Sequence, residues 1–326
     1  MSPPTDGRTM KRRTLLTGAL AGAVAAPAAV TLGTSAARAA AANYPIALTD
    51  QATNSFQVFD RTGDWSAAST WSFTPGTTNG WDDPFEIRFR ATTRYGTIAL
   101  MTAGQPGNGR AGIVAVTGNG NRLDRGDLIW ETSVASYPHC IERIPNVAAV
   151  VVAGTRDRIH VYGGANSDHS TLREVQTITD MPKPHAVLWD DVNDLLWVTG
   201  GKVIRTYRVT GANSTARLVK SGTDISFAGN GHDIQPDYTD PGKLWVTDSG
   251  RVYSLDKATR KVTIISEENY VKSYVRYTDG EAMWTLDPTP SDPPWGGPTV
   301  YFSGGQSKTR PGAQIYKARI VTTRFH

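Results

Sequence analysis

From Ile46 onward the chain alternates short apolar runs with polar turns, and the runs come in sets of four. One set reads Phe85-Glu-Ile-Arg-Phe-Arg90, Thr97-Ile-Ala-Leu-Met101, Gly112-Ile-Val-Ala-Val116 and Leu128-Ile-Trp-Glu131. Another reads His139-Cys-Ile-Glu-Arg143, Ala149-Val-Val-Val-Ala153, Ile159-His-Val-Tyr162 and Glu174-Val-Gln-Thr-Ile178, and the segment from His185 repeats it. No stretch sustains a helical hydrophobic period over several turns. Runs of this length, rich in β-branched and aromatic residues and bounded by Gly and Asn, are strands. Four strands per unit of about 45 residues is the pattern of a β-propeller. The chain is therefore expected to be all-β, with six four-stranded blades; an irregular last unit, carrying a Pro-rich insertion from Asp287 to Pro298, leaves five or seven open.

The first unit shows only three strands, at Ile46, Ser55 and Trp71, and the tail Gln314-Ile-Tyr-Lys-Ala-Arg-Ile320 is strand-like. The missing strand is expected from that C-terminal segment, closing the ring and removing its open edges. A β-sandwich is the competing architecture, disfavoured because its strands would not repeat in fours.

The N-terminus does not share this pattern. Lys11-Arg12-Arg13-Thr14-Leu15-Leu16 opens a basic region, an apolar run follows to about Val30, and Ala37-Arg38-Ala39 is a small-x-small cleavage site. Residues 1–39 read as an export signal of the twin-arginine type, with an ordinary secretory signal as the alternative, and 40–326 as one propeller domain. The protein is expected outside the cell. With the signal removed, 34 − 5 = 29 basic residues face 30 − 1 = 29 acidic ones. A near-neutral chain has no electrostatic footprint for nucleic acid or a membrane surface, and a monomer is expected. Cys140 is the sole cysteine, so no disulfide holds the fold.

Candidate chemistry follows from the period. Pro138-His139, Pro184-His185 and Gly231-His232 begin successive units, 46 and 47 residues apart. Each would enter an innermost strand, so three imidazoles would share one arc of the channel mouth, as acid, base or metal ligand. The alternative is a histidine bonded inside its own blade. Around them, Trp81, Arg88, Glu142, Asp233, Lys272 and Tyr274 are candidates for lining a ligand site, an Arg or Lys there suiting an acidic ligand. Trp197, Trp245 and Trp284 recur in second strands and read as packing between blades; His160, His169 and His326 read as inert.

The combination of Pro138-His-Cys-Ile-Glu142 before a Pro-Asn turn, His185-Ala-Val-Leu-Trp-Asp190 leading to Leu196-Trp-Val-Thr-Gly200, and Gly231-His-Asp-Ile234 resembles a family of exported bacterial propellers of unknown function. More distantly it resembles propeller polysaccharide lyases of the rhamnosyl-glucuronate and oligogalacturonate types. That resemblance implies β-elimination at a uronic acid of an acidic glycan. His139 and His185 would then be base and acid, His232 would assist or hold a divalent metal ion (Mn or Ca), and Arg88 or Lys272 would hold the carboxylate. Two further functions stay open: a glycoside hydrolase using Asp83, Glu142 and Asp233, and a non-catalytic propeller binding a glycan or protein.

Overall fold

The computed structural model describes residues 42–289 and 295–326. The export signal expected over residues 1–39 and part of the Pro-rich insertion lie outside them.

Six sheets form the blades of a β-propeller. Blade 2 is Glu86–Thr92, Gly96–Ala103, Gly109–Ala115 and Leu128–Val134. Blade 3 is Pro138–Ile144, Ala149–Gly154, Arg158–Ala165 and Asp168–Ile178; blade 4 is Pro184–Asp190, Leu195–Gly200, Val203–Thr210 and Arg217–Ser226. Blade 5 runs Gly231–Pro236, Lys243–Asp248, Val252–Asp256 and Val262–Ser266, and blade 6 runs Val271–Arg276, Ala282–Leu286, Thr299–Phe302 and Gln306–Thr309. The last two strands of blade 6 were not legible in the sequence, because the insertion separates them from their unit.

Blade 1 closes the ring. Its innermost strand is the C-terminal Ile315–Ile320, antiparallel to Pro45–Asp50, followed by Ser55–Asp60 and Trp71–Thr74. A short strand, Arg122–Asp124, reaches over from blade 2 and pairs parallel with Trp71–Thr74. The two chain ends thus share one sheet, which removes the open edge.

The second strands are buried on both faces because each is sandwiched between neighbouring blades; Ala149–Gly154 is wholly buried. Apolar clusters fill these gaps, as where Trp81, Phe56 and Phe73 meet between blades 1 and 2. The channel axis carries charge instead. Arg319 grips Glu86 through Nε and Nη2 at 2.6 and 2.7 Å, and Asp233 through Nη1 and Nη2 at 2.8 and 2.7 Å. Lys317 Nζ donates to Glu86 Oε2 at 3.1 Å. Arg90 holds Glu142 at 2.8 and 2.6 Å, with Arg88 at 3.4 Å from the same carboxylate. All seven residues are buried. Burial alone would raise the Glu86 pKa, but the charges of Arg319, Lys317 and Arg88 outweigh it and hold the carboxyl well below its usual range. Cys140 donates its thiol to Glu86 Oε2 at 3.1 Å, and burial, with that carboxylate, pushes its pKa up to about 11. It therefore stays a thiol.

Breaking such a cluster from one side strands a charge in a dry interior. Arg319→Met leaves Glu86 and Asp233 short of their shared cation and is expected to cost about 3–5 kcal/mol by urea unfolding. A cost below about 1 kcal/mol would show that water already reaches the network.

Candidate functional site

The innermost strands share an irregularity that the strict alternation of a β-strand does not predict. In blades 3 to 6 the pairing of first with second strand skips one residue: His139, His185, His232 and Lys272 respectively. In blade 1, Tyr316 and Lys317 stand against Thr49 alone. In blade 2, Phe85 N donates to Thr102 O at 2.9 Å just ahead of the Glu86–Thr102 pair. A β-bulge sets two residues against one and re-aims a side chain. Here it recurs in five blades and turns one side chain of each onto the channel mouth. The residue opposite is a threonine in five blades, Thr49, Thr102, Thr199, Thr247 and Thr285, and Ala153 in the sixth.

These five bulge residues, His139, His185, His232, Lys272 and Tyr316, line one cavity of about 290 Å³ together with Tyr137, Ser249, Tyr270 and Trp295. Phe85 backs it, stacked on the His139 ring at 4.3 Å. His139 and His185 lie 4.3 Å apart between ring centroids, and His185 and His232 meet edge to face at 4.9 Å. His139 Nδ1 lies 3.0 Å from Tyr137 O. A carbonyl only accepts, so Nδ1 carries the proton and Nε2 the lone pair. A looser chain connects the others: Ser249 Oγ to His232 Nε2, His232 Nδ1 to His185 Nε2, and Tyr316 Oη to His185 Nε2, each 3.4 Å. His185 Nδ1 is buried without a partner.

The electrostatics keep these imidazoles neutral. Burial, reinforced by Lys317 and Lys272, lowers the His139 pKa to about 3. Burial and the neighbouring histidines and lysines hold His185 well below its ordinary value, and burial with Lys272 does the same to His232. Lys272, buried beside the Trp295 and Tyr316 rings, has a pKa lowered by burial and partly restored by Asp287 at 3.2 Å.

The histidines expected at the mouth are there, and Lys272 is with them. The other candidate lining residues are not. Trp81 is fully buried between blades, its Nε1 donating to Glu131 at 2.7 Å; a Cβ on Gly112 would come within 2.8 Å of its ring, so glycine is needed there. Arg88, Glu142 and Asp233 face the axis but one layer deeper, engaged in the ion pairs above. Tyr274 lies on the blade flank, 5.2 Å from Trp245 and 6.3 Å from Trp284. The bulge at Lys272 advances the alternation by one, so Ser273 takes the inward position and Tyr274 turns away. Phe85 and Tyr316 were missed because they break the histidine pattern; the recurring threonine of the second strand was the signal that marks their register.

A Mn or Ca ion does not fit this arrangement. The imidazoles pack against one another, tilted and edge to face, instead of converging, and His139 Nδ1 is committed to a carbonyl. Among the described residues no group of three or more His, Cys, Asp or Glu side chains is placed to hold a metal. Calcium in addition requires oxygen ligands, which this lining does not concentrate. The remaining histidines are tied elsewhere. His160 joins Ser136 Oγ at 2.8 Å to Glu174 at 3.3 Å. Arg205 fills the same post in blade 4, bonding Asp180 O and Asp224. Both tie the loop entering a blade to its outer strand. His169 packs on Arg143, and His326 meets Asp191.

The lowered imidazole pKa values make stability depend on pH. Unfolded histidines take up protons as pH falls through about 6.5, while the folded ones do not. Stability is therefore full above pH 6.5 and falls below it, by about 1.4 kcal/mol per pH unit for each histidine. Thermal unfolding between pH 7.5 and about 4.5 is expected to show this decline. A triple variant with glutamine at 139, 185 and 232 should flatten it, and an unchanged slope would contradict the burial of these rings.

No protein-family model and no curated protein matches the chain. Solved structures do resemble it. A functionally unknown protein from Desulfotomaculum acetoxidans DSM 771 has a TM-score of 0.52 at 12% identity, over 85% of this chain and 80% of that one. A protein of unknown function from Bacteroides caccae has a TM-score of 0.54 at 9% identity, over 85% and 98%. A chain of the nidogen/laminin complex has a TM-score of 0.58 at 14% identity, over 87% and 100%. At these identities the likeness is one of fold alone.

Proposed function

We propose that the channel mouth binds a uronic-acid unit of a polysaccharide outside the cell and cleaves the chain there by β-elimination. One observation carries the reading: a single cavity brings together an imidazole lone pair, a lysine, a tyrosine hydroxyl and an aromatic rim. Tyr137, Tyr270 and Trp295 offer faces to a sugar ring. Lys272 Nζ would meet the carboxylate, exchanging it for Asp287 and stabilising the enolate that forms next to it. His139 Nε2 would take the C5 proton. Its lowered pKa leaves the lone pair free at neutral pH, and a uronate carboxylate brought into the cavity would raise its basicity. The C4–O bond then breaks, C4 and C5 become doubly bonded, and the departing oxygen takes the proton of the Tyr316 hydroxyl, which would be restored by relay along His185, His232 and Ser249.

Hydrolysis by paired carboxylates is less well supported. Glu142 and Asp233 are locked in ion pairs, Asp83 lies outside the cavity, and among the described residues its lining has no carboxylate. A non-catalytic glycan- or protein-binding propeller is the second reading, favoured by the fact that Asp287 already neutralises Lys272.

The test is a panel of uronate polysaccharides followed by ultraviolet absorbance of the unsaturated product. His139→Gln is expected to lower kcat by about 10²–10⁴-fold. Lys272→Ala is expected to act mainly through KM. Turnover that survives both His139→Gln and Tyr316→Phe would sink the mechanism, and saturable binding without turnover would establish the second reading.

A further inference from the structure

A cleft of about 580 Å³ adjoins the mouth, formed by the loop before blade 6 and that blade's second and third strands. The two cavities share Tyr270, which lines both. This residue sits at φ 61°, a left-handed backbone that a tyrosine rarely adopts. Two hydrogen bonds hold it there: its N–H to Ser249 O at 3.1 Å and its carbonyl from Asp287 N–H at 3.0 Å. Ser249 belongs to the mouth and Asp287 to the cleft, so the residue between the cavities is pinned from each side. Asp287 also reaches across to Lys272 at 3.2 Å, joining the cleft wall to the cation of the mouth.

The mouth alone, at about 290 Å³, is at the lower edge of the range of roughly 300–1,000 Å³ usual for small-molecule sites. With the cleft it becomes a track longer than one sugar ring. Its two parts differ in charge. Among the described residues the mouth is lined by Lys272 and no carboxylate, whereas the cleft is lined by Glu267, Glu268 and Asp287 and no lysine or arginine. Arg251 is the nearest counter-charge to Glu267, at 3.8 Å and outside the lining. A second uronate seated in the cleft would face carboxylates with no cation among the described lining residues to pair it, and like charges brought together lose binding. Asn269, Thr299 and Tyr301 instead offer amide and hydroxyl groups beside an aromatic face, a lining suited to an uncharged sugar.

We propose that this cleft is the neighbouring subsite of the mouth and that it takes a sugar unit bearing no carboxylate, so that the preferred glycan alternates uronate with neutral sugar. The inference rests on the mouth being a uronate site. Three probes separate the two statements: a uronate methyl glycoside, which occupies the mouth alone, an oligosaccharide of uronate alternating with neutral sugar, and an all-uronate oligosaccharide of the same length. Binding is followed by calorimetry. Wild-type protein is expected to bind the alternating probe about tenfold or more tightly than the all-uronate one. Thr299→Trp, which fills the cleft, should remove that advantage while leaving the methyl glycoside unaffected, and Glu268→Lys should improve the all-uronate probe. Equal or tighter wild-type binding of the all-uronate probe, or no effect of Thr299→Trp on the alternating one, would overturn the subsite while leaving the mouth intact. Failure of the methyl glycoside to bind would overturn the mouth reading and this inference with it.

Discussion

Arg319 holds two carboxylates from different blades at once, Glu86 of blade 2 and Asp233 of blade 5, and it does so from the strand that closes the ring. The contact couples three blades through the axis, where a propeller is otherwise held only by neighbour-to-neighbour packing. Lys317, two residues earlier on the same strand, adds a bond to Glu86 and another to the backbone carbonyl of His139 at 3.2 Å. The floor of the candidate site is therefore built by the closing strand. Folding of the ring and formation of the mouth depend on the same buried charges, which are tolerated because each has an opposite charge beside it, in the closest geometry between Arg319 and its two carboxylates.

Above that floor, the recurring bulge turns a structural repeat into a site. An innermost strand with regular pairing would send successive side chains alternately to the axis and the blade interior. The bulge inserts one residue at the top of five of these strands and gives five positions around one opening, His139, His185, His232, Lys272 and Tyr316, with Phe85 of blade 2 stacked behind His139. These side chains crowd one another, and that crowding is what makes them chemically distinctive. Burial and mutual proximity suppress protonation of the imidazoles, so the mouth combines strong hydrogen-bonding capacity with little positive charge beyond Lys272.

The architecture was largely legible in the chain. Strand length, turn residues and the fourfold grouping recur often enough that a propeller of about six blades with C-terminal closure follows from pattern, and the structure settles the count at six. The three histidines were found for the same reason, since residue type repeats with the period. Tyr274, Arg88, Glu142 and Asp233 were misplaced because period-two reasoning carries across a strand only when the pairing is regular. Trp81 was misplaced because proximity in sequence to an innermost strand does not reveal which side of a blade a loop packs on; Phe56 and Phe73, distant in the chain, decide it.

The sequence by itself determined the all-β repeat, the ring closure and the convergence of the three periodic histidines, because these rest on local hydrophobic pattern and on a period that any blade must obey. Only the tertiary structure decided which charges form the axis, which side chains the bulges expose, and that the imidazoles pack tilted and edge to face instead of converging on an ion. Those outcomes depend on pairing register and on contacts between residues from different blades. Neither has a local signature, because register is set by the partner strand and ion pairing by what the closed ring brings across the channel.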